Sequence, residues 1–526
     1  MKIRLSKNKD TQFFRHLQEK VRYTVFCLLL MGLLACGGNK QAGEVIDESL
    51  VKQADSAEAT VKAVCSSCHM WVPPDKLDKY TWKETVLPIM AAKMGIYELD
   101  GITFQSEKND PNVSPGIYPD KPTIEPDLMR KIFNYFNVKA PESLPAQQRS
   151  LPIGAETRLF DVMIPSGQQS GPPIATFVKV IPEKQLVLSG ISGSSNRLEV
   201  LNKDLSENWK LDVPSAPVWC DISKSDEWLL TCMGTIYPSN DKKGQLFAVN
   251  PNTQSAGSAI LDKLARPVQS HRIGSDYLVN SFGHLAGDLS IYKNNGAVSA
   301  VLRKEPGCIR SVLYDWNKDG QKDVLAMFAQ GVEGIYLYKK KADGNYSEQR
   351  LMQLLPVNGS SWFEVEDVNR DGHPDIVYAC GDNADHSVIL KPYHGIYIYL
   401  NDGKDNFKES WFYPINGAYR FMLRDFDLDG DRDLVSIAFF ADFLQQPEEA
   451  LIYFENTGNL NFKPYRVKGF NLGRWLTMDA GDVDGDGDED VVLGNFSQGP
   501  QSFMSNDDAA RFAKGTPLIL LVNKTK

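Results

Sequence analysis

Asp482-Val483-Asp484-Gly485-Asp486-Gly487-Asp488-Glu489-Asp490-Val491-Val492 sets carboxylates at alternate positions, turns on glycine and runs straight into an apolar strand. The same pattern occurs at Asp315-Trp-Asn317-Lys-Asp319-Gly320-Gln-Lys-Asp323, Asp367-Val-Asn369-Arg-Asp371-Gly372-His-Pro-Asp375 and Asp425-Phe-Asp427-Leu-Asp429-Gly430-Asp-Arg-Asp433. The four copies start 52, 58 and 57 residues apart, and the first three are followed by a Tyr-rich run and an Asn- or Gly-bearing turn. That period is the size of one four-stranded propeller blade. From about residue 157 onward, short β-branched and aromatic runs such as 175–181, 185–190, 334–338 and 395–400 alternate with Gly, Asn, Asp and Pro turns, which reads as all-β without a helix. Extending the period backwards predicts three degenerate blades near 172–201, 217–249 and 267–293. Seven blades fit best, with six or eight left open.

Each loop offers oxygen ligands at positions 1, 3, 5 and 9, with a backbone carbonyl near 7, the wrapping that a hard cation of calcium size requires. The ligands expected are Asp315, Asn317, Asp319, Asp323; Asp367, Asn369, Asp371, Asp375; Asp425, Asp427, Asp429, Asp433; and Asp482, Asp484, Asp486, Asp490. Glycine at position 6 permits the sharp turn. Asp, Asn and Gly also make tight turns without a metal; four copies in register favour the cation, in a structural role. The loop resembles the first half of an EF-hand. The repeats resemble the FG-GAP/VCBS repeat family of β-propellers, well over 300–526 and weakly over 157–300.

A different chemistry sits upstream. Cys65-Ser66-Ser67-Cys68-His69 is a C-X-X-C-H motif. Two thiols one helical turn apart add across the two vinyl groups of haem, and the adjacent histidine faces the iron. A thioredoxin-like site needs a preceding buried strand, whereas 51–64 reads as a helix. A zinc site needs two further ligands, and no second Cys/His pair lies nearby. Around the motif, 59–140 reads as helices with loops: one amphipathic stretch runs from a cap at Asp78 or Thr81 through Trp82 to Met94, with Pro88 as a point of kinking and Gly95 as its end, and a second covers 127–136. The segment resembles class I-like cytochromes c. That resemblance implies a small all-α domain with one covalent haem c on Cys65 and Cys68, His69 as proximal ligand and a distal methionine. Met90 and Met94 are the candidates. Met94, beside Gly95 where backbone can approach the haem, is preferred, and Met70 is too close to His69 to reach the opposite face.

The N-terminus gives the compartment. Basic residues fill 1–22, an apolar run from Tyr23 to Ala35 is too short to span a bilayer of about 30 Å, and the run stops at Cys36-Gly37-Gly38. This is a signal-peptide pattern. Leu33-Leu34-Ala35-Cys36 resembles the bacterial lipobox, which implies cleavage before Cys36 and lipidation of its thiol. The expected organisation is a signal peptide at 1–35, a lipidated cysteine and flexible tether at 36–58, the cytochrome-like domain at 59–140, a Pro-bearing linker at 141–156 and the propeller at 157–526. The expected location is a periplasm-facing or surface lipoprotein, with the outer membrane preferred because Gly37 lacks a retaining Asp. An exported compartment permits disulfides; Cys220 and Cys232 could bridge neighbouring strands or remain buried thiols.

A formal net charge of -10 argues against nucleic acid as a partner. No G-X-S-X-G, H-E-X-X-H or phosphate loop is present. In the propeller, His284, His394 and Arg474 are the candidates for a catalytic site if they converge, and Arg310, Arg420 and Arg474 could form a polar ring around the central channel. The favoured expectation is an exported electron-transfer lipoprotein whose calcium-stabilised propeller is a docking or ligand-binding platform, with a redox protein or small molecule as partner. The alternative is a periplasmic dehydrogenase passing electrons from the propeller to the fused haem; whether the chain is an enzyme is left open.

Overall fold

The apolar alternation after residue 157 folds into seven antiparallel sheets arranged as a propeller. The computed structural model describes residues 48–166, 171–384 and 387–526. The signal-like segment, Cys36 and most of the expected tether lie outside the described residues. Blades 1 to 3 begin with Ala175–Ile181, Pro217–Asp221 and Pro267–Ile273; blades 4 to 7 begin with Cys308–Tyr314, Ser360–Glu366, Ala418–Arg424 and Trp475–Gly481. These first strands neighbour one another around the ring, and Trp475–Gly481 returns to Ala175–Ile181. The second strands of blades 4 to 7 are buried along their whole length and carry the inter-blade cores, which explains why they read as unbroken apolar runs.

The ring is closed by a strand from the other end of the chain. Phe160–Met163 pairs antiparallel with Leu518–Asn523 as the outermost strand of blade 7. Phe160 is buried, edge-on to Phe426 at 5.7 Å and Tyr453 at 5.9 Å between ring centroids. Gly154–Glu156 adds in parallel to Phe462–Arg466 of blade 6, so the end of the expected linker belongs to the propeller. The remainder of the linker is strapped down. Arg149 pairs with the fully buried Glu449 and donates through Nε to the Pro414 carbonyl at 3.1 Å. Gln147 donates to the carbonyls of Lys391 and His394.

Helices Glu48–Cys65 and Pro126–Lys139 and the helical stretch 79–93 bury Ala54, Ala57, Val61, Trp82, Leu87, Ile132 and Phe136 in one cluster. The first helix reaches back to Glu48, into the segment expected to be a flexible tether, because Ala54, Ala57 and Val61 recur on its buried face. Asp78 caps the stretch, accepting from Thr81 N at 2.7 Å. The backbone accommodates Pro88 without a lost hydrogen bond: Trp82–Val86 is π-helical, Leu87 N bonds to Trp82 O, and Pro88 falls in the first turn of Leu87–Lys93, where no N–H is needed. The helical part does not stand apart as an independent body. Residues 52–526 are one unit, in which Val357 and Ile389 of the propeller pack on the helical core and Tyr393 Oη donates to Lys76 O at 2.9 Å.

One open alternative is decided and one expectation is corrected. Cys220 and Cys232 are buried free thiols: Cys220 lies opposite Leu230 and Cys232 opposite Pro217, an offset that leaves them unbridged. Blade 7 contains a helix, Asn506–Ala513, capped by Ser505, whose hydroxyl accepts from Asp508 N at 3.0 Å. Among the described residues no helix is long and apolar enough to cross a membrane.

Candidate functional site

The four acidic loops occupy one equivalent position, between the first and second strands of blades 4 to 7. Position 1 folds the loop: Asp315 and Asp367 each accept from the N–H groups of positions 5 and 6, at 2.8 to 3.0 Å. Asp425 and Asp482 accept from Gly430 and Gly487 at 3.1 Å. Position 6 is left-handed in every copy, as expected for glycine. Position 4 is left-handed too, with φ of 58° at Lys318, 61° at Arg370, 59° at Leu428 and 88° at Gly485. Only the fourth copy shows that requirement in its residue type.

Position 9 does more than offer a ligand. Asp375, Asp433 and Asp490 are fully buried and clamp the loop to the third strand. Their carboxylates accept from Asn401, Asn456 and Asn523 N at 2.8 to 2.9 Å, and Asp375 and Asp490 also accept from the loop's position 2. The same three asparagines donate their side-chain amides to the carbonyls just before position 9, those of Pro374, Arg432 and Glu489. Burial, reinforced by neighbouring carboxylates, raises Asp375 to about 6 and Asp433 and Asp490 to about 7.

The loops differ in how far their charge is balanced. In the first two, the Asn317 and Asn369 amides donate to Asp319 and Asp371 at 2.9 and 2.8 Å. In the third and fourth no amide does this. Asp425, Asp427 and Asp429 bring carboxylate oxygens within 4.8 Å of one another, and so do Asp482, Asp484 and Asp490. Oxygens of Asp425, Asp431 and Asp488 are buried without a hydrogen-bond partner. Asp431 and Asp488 stand at position 7, so the third and fourth loops carry one more carboxylate than the expected ligand set included. Carboxylates converged, buried and unpaired are a donor set that fits a hard divalent cation.

Cys65 ends the first helix, and Cys68 and His69 lie in the turn beyond it. Both thiols are unbridged, and burial with the neighbouring Cys68 raises Cys65 to about 11. His69 Nδ1 is 2.9 Å from the Met70 carbonyl, so the tautomer that donates there leaves Nε2 free as a ligand. Trp71 flanks the motif, 6.3 Å from Tyr135 and 5.8 Å from Phe136. Met94 packs on the same apolar cluster as Cys65, and Met90 is half-buried outside it. The reason first given for Met94 is different in the structure. Gly95 is glycine because a Cβ would collide with the Lys121 carbonyl, and the Met94 carbonyl accepts from Thr123 N at 2.9 Å.

The three residues singled out for catalysis do not converge; they share no partner among the described residues. His284 Nε2 lies 2.9 Å from Glu107 Oε1 of the helical part, in a junction completed by Asn240, which donates to Glu107 at 2.7 Å and Asp110 at 3.0 Å. His394 is buried, with Nε2 unpartnered and burial holding its pKa well below the usual value. Arg474 is buried too, donating to the carbonyls of Phe439 at 3.1 Å and Gln498 at 2.9 Å, its guanidinium carbon 3.9 Å from the Phe439 ring centroid. Arg310 and Arg420 lie together on the inner strands of blades 4 and 6, against Trp362 of blade 5, which the sequence did not single out.

Seven blades, the last four with an aspartate loop between first and second strands, define a β-propeller. Residues 315–378 and 425–493 match the family model described as FG-GAP-like repeat. No curated protein matches the chain. Among solved structures, the N-terminal domain of Nup159 aligns at 12% identity and a TM-score of 0.41, covering 72% of this chain and 99% of that one. The RRP9 WD40 repeats align at 8% identity and a TM-score of 0.43, covering 71% and 100%.

Proposed function

We propose that the chain is an exported haem c lipoprotein acting in electron transfer, with the propeller as a calcium-stabilised platform for a redox partner or small ligand. The observation that carries this reading is the donor set of residues 65–69. Two unbridged thiols follow one another around the end of a helix, and the adjacent imidazole has one nitrogen beside a carbonyl and the other free. Cys65, Cys68 and His69 would hold the haem, with Met94 ahead of Met90 as distal ligand because it shares the apolar cluster of Cys65. A haem so held supplies a one-electron couple. The chain's own part is to exclude water with Val64, Trp71 and Met94 and to orient His69 through the Met70 carbonyl. The signal pattern and Cys36 support export and lipid anchoring.

Calcium in the loops is supported by the unpaired carboxylate oxygens of Asp425, Asp431 and Asp488. Its role is to pin the turns of the last four blades. The dehydrogenase reading is less well supported, since His284 and Arg474 have separate partners and the His394 ring nitrogen Nε2 has none.

The test is the visible spectrum of the full-length protein matured in a host with cytochrome assembly, with a denaturing haem stain. A covalent haem lost in Cys65→Ala/Cys68→Ala supports the reading. A colourless protein that is folded and exported overturns it.

A further inference from the structure

The inner wall of the propeller carries two cations that the fold leaves unpaired. Each first strand has a bulge just after its first residue, and this sets Arg310, Trp362 and Arg420 at the same position in three consecutive blades. The guanidinium carbons of Arg310 and Arg420 lie 3.3 and 3.7 Å from the Trp362 ring centroid. Two groups that close to one ring can only occupy opposite faces. Cation–π contact of this kind is worth about 0.5–2 kcal/mol each, but it does not neutralise charge.

The acids nearby are already engaged. Glu364 accepts from Trp362 Nε1 at 3.3 Å and pairs with Arg424 at 3.5 Å. Asp479 pairs with Lys179 at 3.2 Å and accepts from Val180 N at 2.9 Å. Glu489 pairs with Arg424 at 3.1 Å. Among the described residues no carboxylate lies within ion-pair distance of Arg310 or Arg420, and the one hydrogen bond the two share between them is Arg310 Nε to Phe363 O at 2.7 Å. Both side chains are half-buried. Burial lowers Arg310 to about 9 and Arg420 to about 10.

Arg420 Nε is moreover buried without a hydrogen-bond partner. Two guanidiniums on one ring, with no carboxylate partner and a single hydrogen bond between them, are costly unless something brings acceptors. Guanidinium forks match planar or tetrahedral oxyanions.

We propose that the channel wall at Arg310, Trp362 and Arg420 binds a small oxyanionic ligand, the two guanidiniums supplying the charge and the hydrogen bonds. The ligand gives the platform reading a chemical class. It does not depend on the haem, because its readouts need no colour.

The experiment is calorimetric titration and thermal unfolding of the full-length protein with succinate, inorganic phosphate or chloride at matched ionic strength, in wild type and Arg310→Gln/Arg420→Gln. The expected result is stabilisation by succinate or phosphate over chloride, with affinity reduced roughly tenfold or more in the double variant. A response to succinate alone assigns a carboxylate ligand, and to phosphate alone a phosphate ligand. Equal behaviour of all three anions, or an anion response that survives in the double variant, overturns the proposal. If the double variant does not fold, Arg420→Lys decides in the same way, since it keeps the charge but loses the fork.

Discussion

Replacing Arg149 by alanine should cost the propeller about 3 kcal/mol, although the residue lies in a segment that reads as a linker. Glu449 is fully buried, and Arg149 is the cation beside it. Breaking a buried pair from one side typically costs about 3–5 kcal/mol, because the remaining charge is stranded. The lower end applies here. Glu449 keeps two hydrogen bonds from Asn416, from its N at 3.0 Å and its Nδ2 at 3.2 Å, and Arg149 Nη2 makes a charge contact without an aligned hydrogen bond. The loss of Arg149 Nε to Pro414 O, at 3.1 Å, adds a smaller cost. Unfolding by denaturant of wild type, Arg149→Ala, Glu449→Gln and the double variant forms a cycle. Arg149→Ala should be the least stable, and adding Glu449→Gln should restore at least half of the loss by removing the stranded charge. A loss under about 1 kcal/mol in Arg149→Ala, or no restoration in the double variant, would refute the strap as a charge-locked element.

The third and fourth loops should hold calcium, so a chelator should lower the melting temperature, and Asp427→Asn with Asp484→Asn should shrink that response by more than half while leaving the chelated protein little changed. His271 is half-buried, and desolvation by the surrounding protein lowers its pKa to about 4. Between pH 6.5 and about 4 the unfolded chain therefore takes up a proton that the folded chain does not, so stability falls as pH drops through that window. His271→Asn should flatten this part of a stability profile measured from pH 7 to 4.5. Phe160→Ala should cost about 3–5 kcal/mol and raise hydrogen exchange first in Leu518–Asn523, the strand it helps to cover.

The loops were legible because their chemistry is local: nine consecutive residues hold most of the signal, and repetition removes chance. The last four blades follow from that period, and the structure has seven in all. What was hidden depends on residues far apart in the chain. Phe160–Met163 is four residues long and means nothing without Leu518–Asn523. Arg149 sits among prolines and gains its role from Glu449. Trp362 reads as a core aromatic until Arg310 and Arg420 are seen on its faces. His284 resembled a channel residue because it stands next to glycine, but its partner, Glu107, lies in the helical part. The helix Asn506–Ala513 was within reach, since Ser505-Asn506-Asp507-Asp508 carries the cap and acidic first turn; a strand-dominated neighbourhood masked it.

The seam at Phe160–Met163 has a consequence for how the molecule is made. This segment leaves the ribosome before any complete blade, yet its partner strand is synthesised only after the strands of the other six blades. Until Leu518–Asn523 emerges, the ring has an open edge, and unpaired strand edges invite pairing with other chains. Loop-closure entropy must also be met before the closing contact can repay it. A polypeptide stalled or clipped before Leu518 would therefore be an edge in search of a strand, and quality control that recognises such edges would see this protein as unfinished until that strand is in place.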